Sequence, residues 1–584
     1  MIVLKLQFAV AGALLLITVG IDAVFADEPA PAESKIYQPA GAPADPKVSV
    51  HWNRYHDYSQ SIRLLRQLAE AHPKICRLQT LGKSYGGRNM WVMTITDPTV
   101  GKESEKPAFW IDGGIHANEI QAVEVVLYTA WYLCESHGRN KLIDRLLKER
   151  TFYLMPMMSP DSRDAHMRRP NTTHSPRSGQ RPVDDDRDGL VDEDGPDDLD
   201  GDGHITQMRI RDPNGRYKPH PDFPQLMIRC KDDEQGSYTL LGSEGVDNDD
   251  DGRVNEDGDG YYDPNRDWAY HWQPKSVQRG AHHYPFSVLE NRMVADFIAA
   301  HPNIAGAQSY HNTGGMILYG PGVKGEKNQP ADQAVYDAIA AKGEMMLPGY
   351  RKLNIANDLY EVYGGELDWL HGMQGVFGFT NELFTGFNFF RKGSPSREDQ
   401  RRFNRYLLLG EGLVEWHEVE HPQYGKIEVG GLKKNWLRQP PSFLLEEECH
   451  RNMAFTLYHA DQMPQVAVSD VQVKQLGGGL HEVTATVVNH KLTPTHSAHD
   501  VMHKITRPDL VSIAGKDLKV ITALVSDDPL LRRAGEQKRN PGVVRLKTVR
   551  GMRAVYVRWL VKGAGPYTVT VNSVKGGVGS RIAK

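Results

Sequence analysis

Cysteine is scarce in this sequence: there are four in 584 residues (Cys76, Cys134, Cys230, Cys449), with no Cys-x-x-Cys among them. That excludes a cysteine-built metal site of the usual spacing. A strong charge of one sign is also missing. The formal net charge is -5, so nothing global points to nucleic acid or an anionic membrane as partner. Past the N-terminus there is no apolar run long enough to span a bilayer, which takes about 20 residues. What remains is ordinary for a soluble chain with a real core, 40% apolar and 24% charged, and long enough for two or three domains.

Residues 1–26 read as a secretory signal. Lys5 supplies the positive start, Phe8 to Gly20 the apolar stretch, and Val24-Phe25-Ala26 small residues at the cleavage positions. The alternative, an uncleaved anchor, needs a longer apolar run. Secretion or periplasmic export is therefore expected, and in an oxidising compartment the four cysteines could pair or stay as free thiols. Residues 27–47 are rich in Ala and Pro and read as a linker.

From Val48 to about Val419 helix-length and strand-length patterns alternate, which predicts an α/β domain, assigned here to 48–462. An acidic, Gly-rich insert at 184–263 interrupts it. From 463 to 584 the pattern changes to period-two strands such as His481 to Val488 and Tyr567 to Val571, separated by turns. That predicts a C-terminal β-sandwich, and the sequence names no partner for it.

Chemistry concentrates in Phe109-Trp-Ile-Asp-Gly-Gly-Ile-His116-Ala-Asn-Glu119. A strand meets a glycine turn, and His116 and Glu119 follow three apart where a helix starts, so both side chains can face one point. Zinc accepts imidazole nitrogen and carboxylate oxygen. Alone, His-x-x-Glu is a weak signal.

Other segments follow in order. They are Ser159-Pro160-Asp161, Met167-Arg168-Arg169, Asp263-Pro264-Asn265-Arg266, Ser309-Tyr310-His311, Leu359-Tyr360-Glu361-Val362-Tyr363-Gly364-Gly365-Glu366-Leu367-Asp368-Trp369 and Phe379-Thr380-Asn381-Glu382-Leu383. Taken together the set resembles the carboxypeptidase A-like family of zinc metallocarboxypeptidases. Departures are the long insert and Ser159 where the family has Asn.

The resemblance implies a mixed sheet flanked by helices and one catalytic zinc on His116, Glu119 and His311. It gives Glu382 the part of general base and sets Arg168 facing the oxyanion. Asn265 and Arg266 would hold a substrate's C-terminal carboxylate, with Tyr360 closing over it. Leu367 would read the terminal side chain, and an apolar residue there argues against a preference for Lys or Arg. The implied substrates are peptide or protein C-termini.

Two other readings are open. His417-Glu418-Val419-Glu420-His421 matches the zincin motif of an endopeptidase, although Pro422 follows at once and the segment reads as the polar end of a helix from Arg402. The chain could also be an inactive, calcium-stabilised binding protein on the same fold. Calcium enters through three loops of the insert with Asp at positions one, three and five and Gly at six: Asp184, Asp186, Asp188; Asp198, Asp200, Asp202; and Asp247, Asp249, Asp251. They resemble EF-hand loops but lack Glu at position twelve, and an acidic loop held open by self-repulsion is the alternative.

Overall fold

Eight strands make the main sheet, in the spatial order Cys76–Lys83, Asn89–Ile95, Thr151–Met155, Ala108–Gly113, Ile304–Asn312, Phe377–Leu383, Met316–Tyr319, Arg351–Asn354. Its centre is parallel: Ala108–Gly113 runs with Thr151–Met155 and with Ile304–Asn312, which runs with Phe377–Leu383. Antiparallel pairings lie toward both edges, so the sheet is mixed as expected. All residues of Ala108–Gly113 and Ile304–Asn312 are buried, the pattern of strands covered on both faces.

Helix Ile120–Ser136 is buried at 16 of its 17 positions, so it is not a surface amphipathic helix. It packs between the sheet and helix Ser442–Asp461. Helix Tyr58–Ala71 is the opposite case. It starts in a capping box made by Asp57 and Gln60 and buries only one stripe, Ile62, Leu64, Leu65 and Leu68.

The computed structural model describes residues 40–43, 45–260, 262–434 and 438–583. The expected signal segment and most of the linker lie outside the described residues. Residues from Pro46 onward form one unit. Among the described residues no helix is long and apolar enough to cross a membrane. All four cysteines are free thiols, with Cys76, Cys134 and Cys449 buried.

The insert, expected as an acidic run of loops, is partly strand. Four of its segments, Gln207–Arg211, Tyr217–Pro219, Met227–Arg229 and Tyr238–Ser243, are strands. They join the hairpin Leu413–His421/Gly425–Leu432 in a second, six-stranded sheet. Few apolar residues are needed, because part of the contact is Arg209 held by Glu428 and stacked over Trp416 and Tyr238.

Here too the sequence expectation for 402–421 is corrected. The helix there is Arg397–Leu407, and His417 to His421 lie on a strand. Pairing with its hairpin mate Gly425–Leu432, which in turn pairs with Gln207–Arg211 of the insert, overrode the helical reading.

The C-terminal region is one antiparallel sheet of seven strands. Its two long strands, Asp509–Ser526 and Arg553–Ser573, pair along their whole length through three register shifts. The first half of Arg553–Ser573 takes Leu480–Asn489 on its other side, the second half Gly577–Ala583. Bulges bend such strands, and a core of Val483, Val557, Trp559 and Val569 fills the fold.

Candidate active site

Three parallel strands deliver the site at their carboxyl ends, where open α/β sheets bind ligands. Ala108–Gly113 runs into Gly114, whose φ of +65° turns the chain sharply. A Cβ on Gly114 would meet Val123 at 3.0 Å and the Pro156 carbonyl at 3.3 Å, so the turn needs glycine. His116 follows, and Glu119 caps the helix that begins at Ile120. On the neighbouring strands His311 and Glu382 are register partners.

His116, Glu119 and His311 are all buried, with ligand atoms within 4.8 Å of one another. His116 Nδ1 lies 3.0 Å from Glu119 Oε1, and His311 Nδ1 lies 2.9 Å from Oε2. The two Nδ1 atoms are 3.1 Å apart. Facing ring nitrogens share at most one proton, and His311 Nε2 has no partner among the described residues. Tetrahedral zinc with bonds near 2.0–2.1 Å would set two nitrogens about 3.3 Å apart. Two imidazoles and a carboxylate converging this way fit zinc.

Electrostatics agree with that fit. Burial alone would raise the Glu119 carboxyl, yet His116, His311 and Arg177 around it hold it well below the usual range. Glu382 goes the other way: burial, and then the charge of Glu119, push it up to about 7.

One cavity is lined by His116, His311, Glu382, Asn265, Arg266, Tyr360 and Leu367. Asn265 Oδ1 accepts from the Glu366 amide at 2.9 Å, and Arg266 donates to the Asn265 carbonyl at 2.8 Å. Leu367 is buried on the wall. Tyr360 stands exposed at the rim, just past the turn Ile355–Leu359.

Arg168 is not brought to this cavity. It ends helix Pro160–Arg168, points to solvent and pairs with Asp57 and Asp164 at 2.8 and 3.2 Å. Arg177 lines the cavity instead, 2.8 Å from Glu119 and 3.7 Å from Asp263. Eight residues and a helix end separate the two arginines, and no spacing rule in the irregular stretch 169–183 singles out Arg177.

Two further carboxyls went unassigned from sequence. Asp263 Oδ1 accepts from His116 Nε2 at 2.9 Å. Glu366 reaches the cavity and lies against the Asp112 carboxyl, with one oxygen 3.1 Å from Ser309, which also contacts Asp112 at 2.9 Å. Burial raises the Glu366 carboxyl well above the usual range and Asp112 to about 6.

The zincin constellation is not assembled. His417 is exposed and pairs with Asp200 at 2.8 Å, whereas His421 is buried and bonded to the Gly245 carbonyl.

Residues 61–187 and 246–398 match the family model described as zinc carboxypeptidase. The chain belongs to the zinc carboxypeptidase family. The gap in that match, 188–245, is most of the acidic insert, so the insert is an addition to the family's core. Residues 465–583 match a model for a domain of unknown function.

Carboxypeptidase B of Astacus astacus is 25% identical over 344 residues, 57% of this chain and 87% of that protein. Carboxypeptidase D of Anas platyrhynchos is 31% identical over 131 residues, 22% of this chain but 9% of that protein. Carboxypeptidase Z of Homo sapiens is 33% identical over 108 residues, 18% of this chain and 17% of that protein. Several matched relatives are thus spanned over less than a fifth of their length. Among solved structures, thrombin activatable fibrinolysis inhibitor covers 70% of this chain and 78% of its own, with 16% identity and a TM-score of 0.43.

Proposed function

We propose that this zinc carboxypeptidase family member is exported and hydrolyses the C-terminal peptide bond of peptides or proteins. One observation carries the reading: His116 and His311, which converge with Glu119, line a single cavity together with Glu382 and the Asn265–Arg266 pair.

Zinc, held by His116, Glu119 and His311, would supply Lewis-acid polarisation of the scissile carbonyl and acidify a water. Glu382 takes the proton from the attacking water and returns it to the leaving amine. A carboxyl raised to about 7 is suited to both tasks near neutral pH. Arg177 faces the oxygen that gains charge, the part the sequence assigned to Arg168.

The guanidinium of Arg266, with Asn265 beside it, takes the terminal carboxylate by a two-pronged contact. An internal bond offers no such charge, and this makes the enzyme an exopeptidase. Tyr360 closes from the rim. Leu318, Ile355, Val362 and Leu367 offer the terminal side chain apolar contacts, with Glu366 and Asp368 in the same lining.

The test is hydrolysis of blocked dipeptides with free or amidated C-termini, comparing wild type and Glu382→Ala after zinc loading. Release only from free acids, lost in the variant, is the expected result. Hydrolysis of the amides, or survival of activity in Glu382→Ala, would overturn the proposal.

A further inference from the structure

Two stretches of the insert, 184–195 and 247–258, are copies of one pattern. Counting from Asp184 and from Asp247, each has Asp at one, three and five, Gly at six, Val at eight, Glu at ten, Asp at eleven and Gly at twelve. The backbone repeats too. φ is positive at position four (Arg187 78°, Asp250 67°), six (Gly189 101°, Gly252 91°) and nine (Asp192 51°, Asn255 66°). In each copy the position-seven amide donates to the position-five carboxylate at 2.7 Å.

The copies face each other reciprocally. Asp194 and Asp257, both at position eleven, form an antiparallel bridge. Each accepts the position-nine amide of the other loop: Asp192 N to Asp257 Oδ2 at 3.2 Å, Asn255 N to Asp194 Oδ2 at 2.9 Å.

Across this pseudo-twofold the carboxylates converge in two sets. One is Asp186, Asp188 and Glu193 with Asp249; the other is Asp249, Asp251 and Glu256 with Asp186. Each is positions three, five and ten of one loop plus position three of its mate. Asp257, fully buried, joins Asp184 and Asp186.

Backbone amides reach the carboxylates at positions three and five, but the acids at position ten are left without such donors. Among the described residues, both oxygens of Glu193 and of Glu256, and Oδ1 of Asp257, are shielded from solvent without a hydrogen-bond donor, and Glu193 lies against Asp257 and Glu256 against Asp194. A buried carboxylate is normally paired or coordinates a metal. Positions one to six alone suggested calcium; the orphaned oxygens at ten and eleven are what the structure adds.

We propose that the two copies form one paired calcium site, holding two ions that share Asp186 and Asp249. Calcium takes six to eight oxygens in flexible geometry, which an all-carboxylate pocket with shared ligands offers. Magnesium demands a near-ideal octahedron and suits it less.

The pair sits between the two chain segments that reach the cavity. Asp192 Oδ1 accepts from Val183 N on the entering side and from Gly260 N on the leaving side, at 3.1 and 3.2 Å. The entering segment carries Arg177, and the leaving segment carries Asp263, Asn265 and Arg266. Calcium thus braces both approaches to the cleft. That consequence rests on the catalytic reading above, while the ion binding does not.

The test is calorimetric titration of CaCl2 into the zinc-loaded full chain after calcium removal, with melting measured in parallel, for wild type and Asp186→Asn/Asp249→Asn. Wild type should bind two more calcium ions than the variant and melt about 2–4 °C higher with calcium. Asparagine keeps the local amide contacts and removes only charge. If the double variant does not fold, Glu193→Gln and Glu256→Gln should each remove one ion. No heat or melting shift in wild type, equal stoichiometry in the variants, or an equal response to magnesium would overturn the proposal. Heat and melting are read without substrate, so failure here is distinct from failure of the peptidase reading.

Discussion

His116 donates through Nε2 to Asp263 Oδ1 at 2.9 Å, which leaves Nδ1 as the free lone pair aimed at Glu119 and His311. Fixing a ligand's tautomer from behind raises its basicity, and losing such a partner costs about 10–100-fold in metal affinity. Asp263→Asn should therefore weaken zinc binding by that factor in competition with a chelator. Asp263 also caps Asn265 and lies beside Arg177 and Arg266, so KM for peptides with a free C-terminus should rise as well. Unchanged zinc affinity would reduce Asp263 to a turn-former.

Arg177 and Arg168 should behave oppositely. Burial pulls the Arg177 guanidinium down, but Glu119 and Asp263 outweigh it and keep it firmly charged. Arg177→Ala should lower kcat about 10²–10³-fold, the usual cost of losing one oxyanion donor. Arg168→Ala, at an exposed pair with Asp57, should change kcat/KM by less than about threefold. A large loss from Arg168→Ala alone would return the role to Arg168.

These contrasts show where the sequence was legible. His116, Glu119, His311 and Glu382 sit on or beside central parallel strands, where neighbouring residues constrain spacing and leave a local motif. Arg177 sits in an irregular stretch and has no motif. The strands of the insert were not legible because they are stabilised by Arg209, Glu428 and Trp416, contacts that periodicity does not register. The helix expected through His417 failed for a related reason, since its hairpin mate Gly425–Leu432 is anchored by Gln207–Arg211, more than 200 residues away in the insert. Glu193 and Glu256 escaped because an EF-hand template looks to position twelve, and here the acid is at ten.

His421 should be structural and not a metal ligand. Its Nε2 donates to the Gly245 carbonyl at 2.8 Å, and Nδ1 accepts from Gln423 N and Tyr424 N, both at 3.2 Å. His421→Ala strands these buried groups, and a loss of about 1–3 kcal/mol in denaturant unfolding is expected. Zinc content and hydrolysis by His417→Ala should match wild type. Loss of bound zinc in His417→Ala, read by metal analysis, would revive the zincin reading.

The last prediction concerns pH and the C-terminal sheet. His496 is buried between Asp500 at Nδ1 and Asp509 at Nε2, both at 3.0 Å. Burial works to lower its pKa, but the two carboxylates override that and raise it to about 9. A raised folded pKa means the stabilisation is complete below the unfolded value of about 6.5 and is lost as pH climbs through 9. The shift corresponds to about 3 kcal/mol at most. Lys575, buried beside Asp500 and lowered to about 8, works in the opposite direction at higher pH, so wild type alone is not diagnostic. The informative quantity is the difference between wild type and His496→Gln. Melting of the two should diverge most below pH 6.5 and converge by about pH 9.5. A constant difference across that range would mean that His496 contributes packing but no charge.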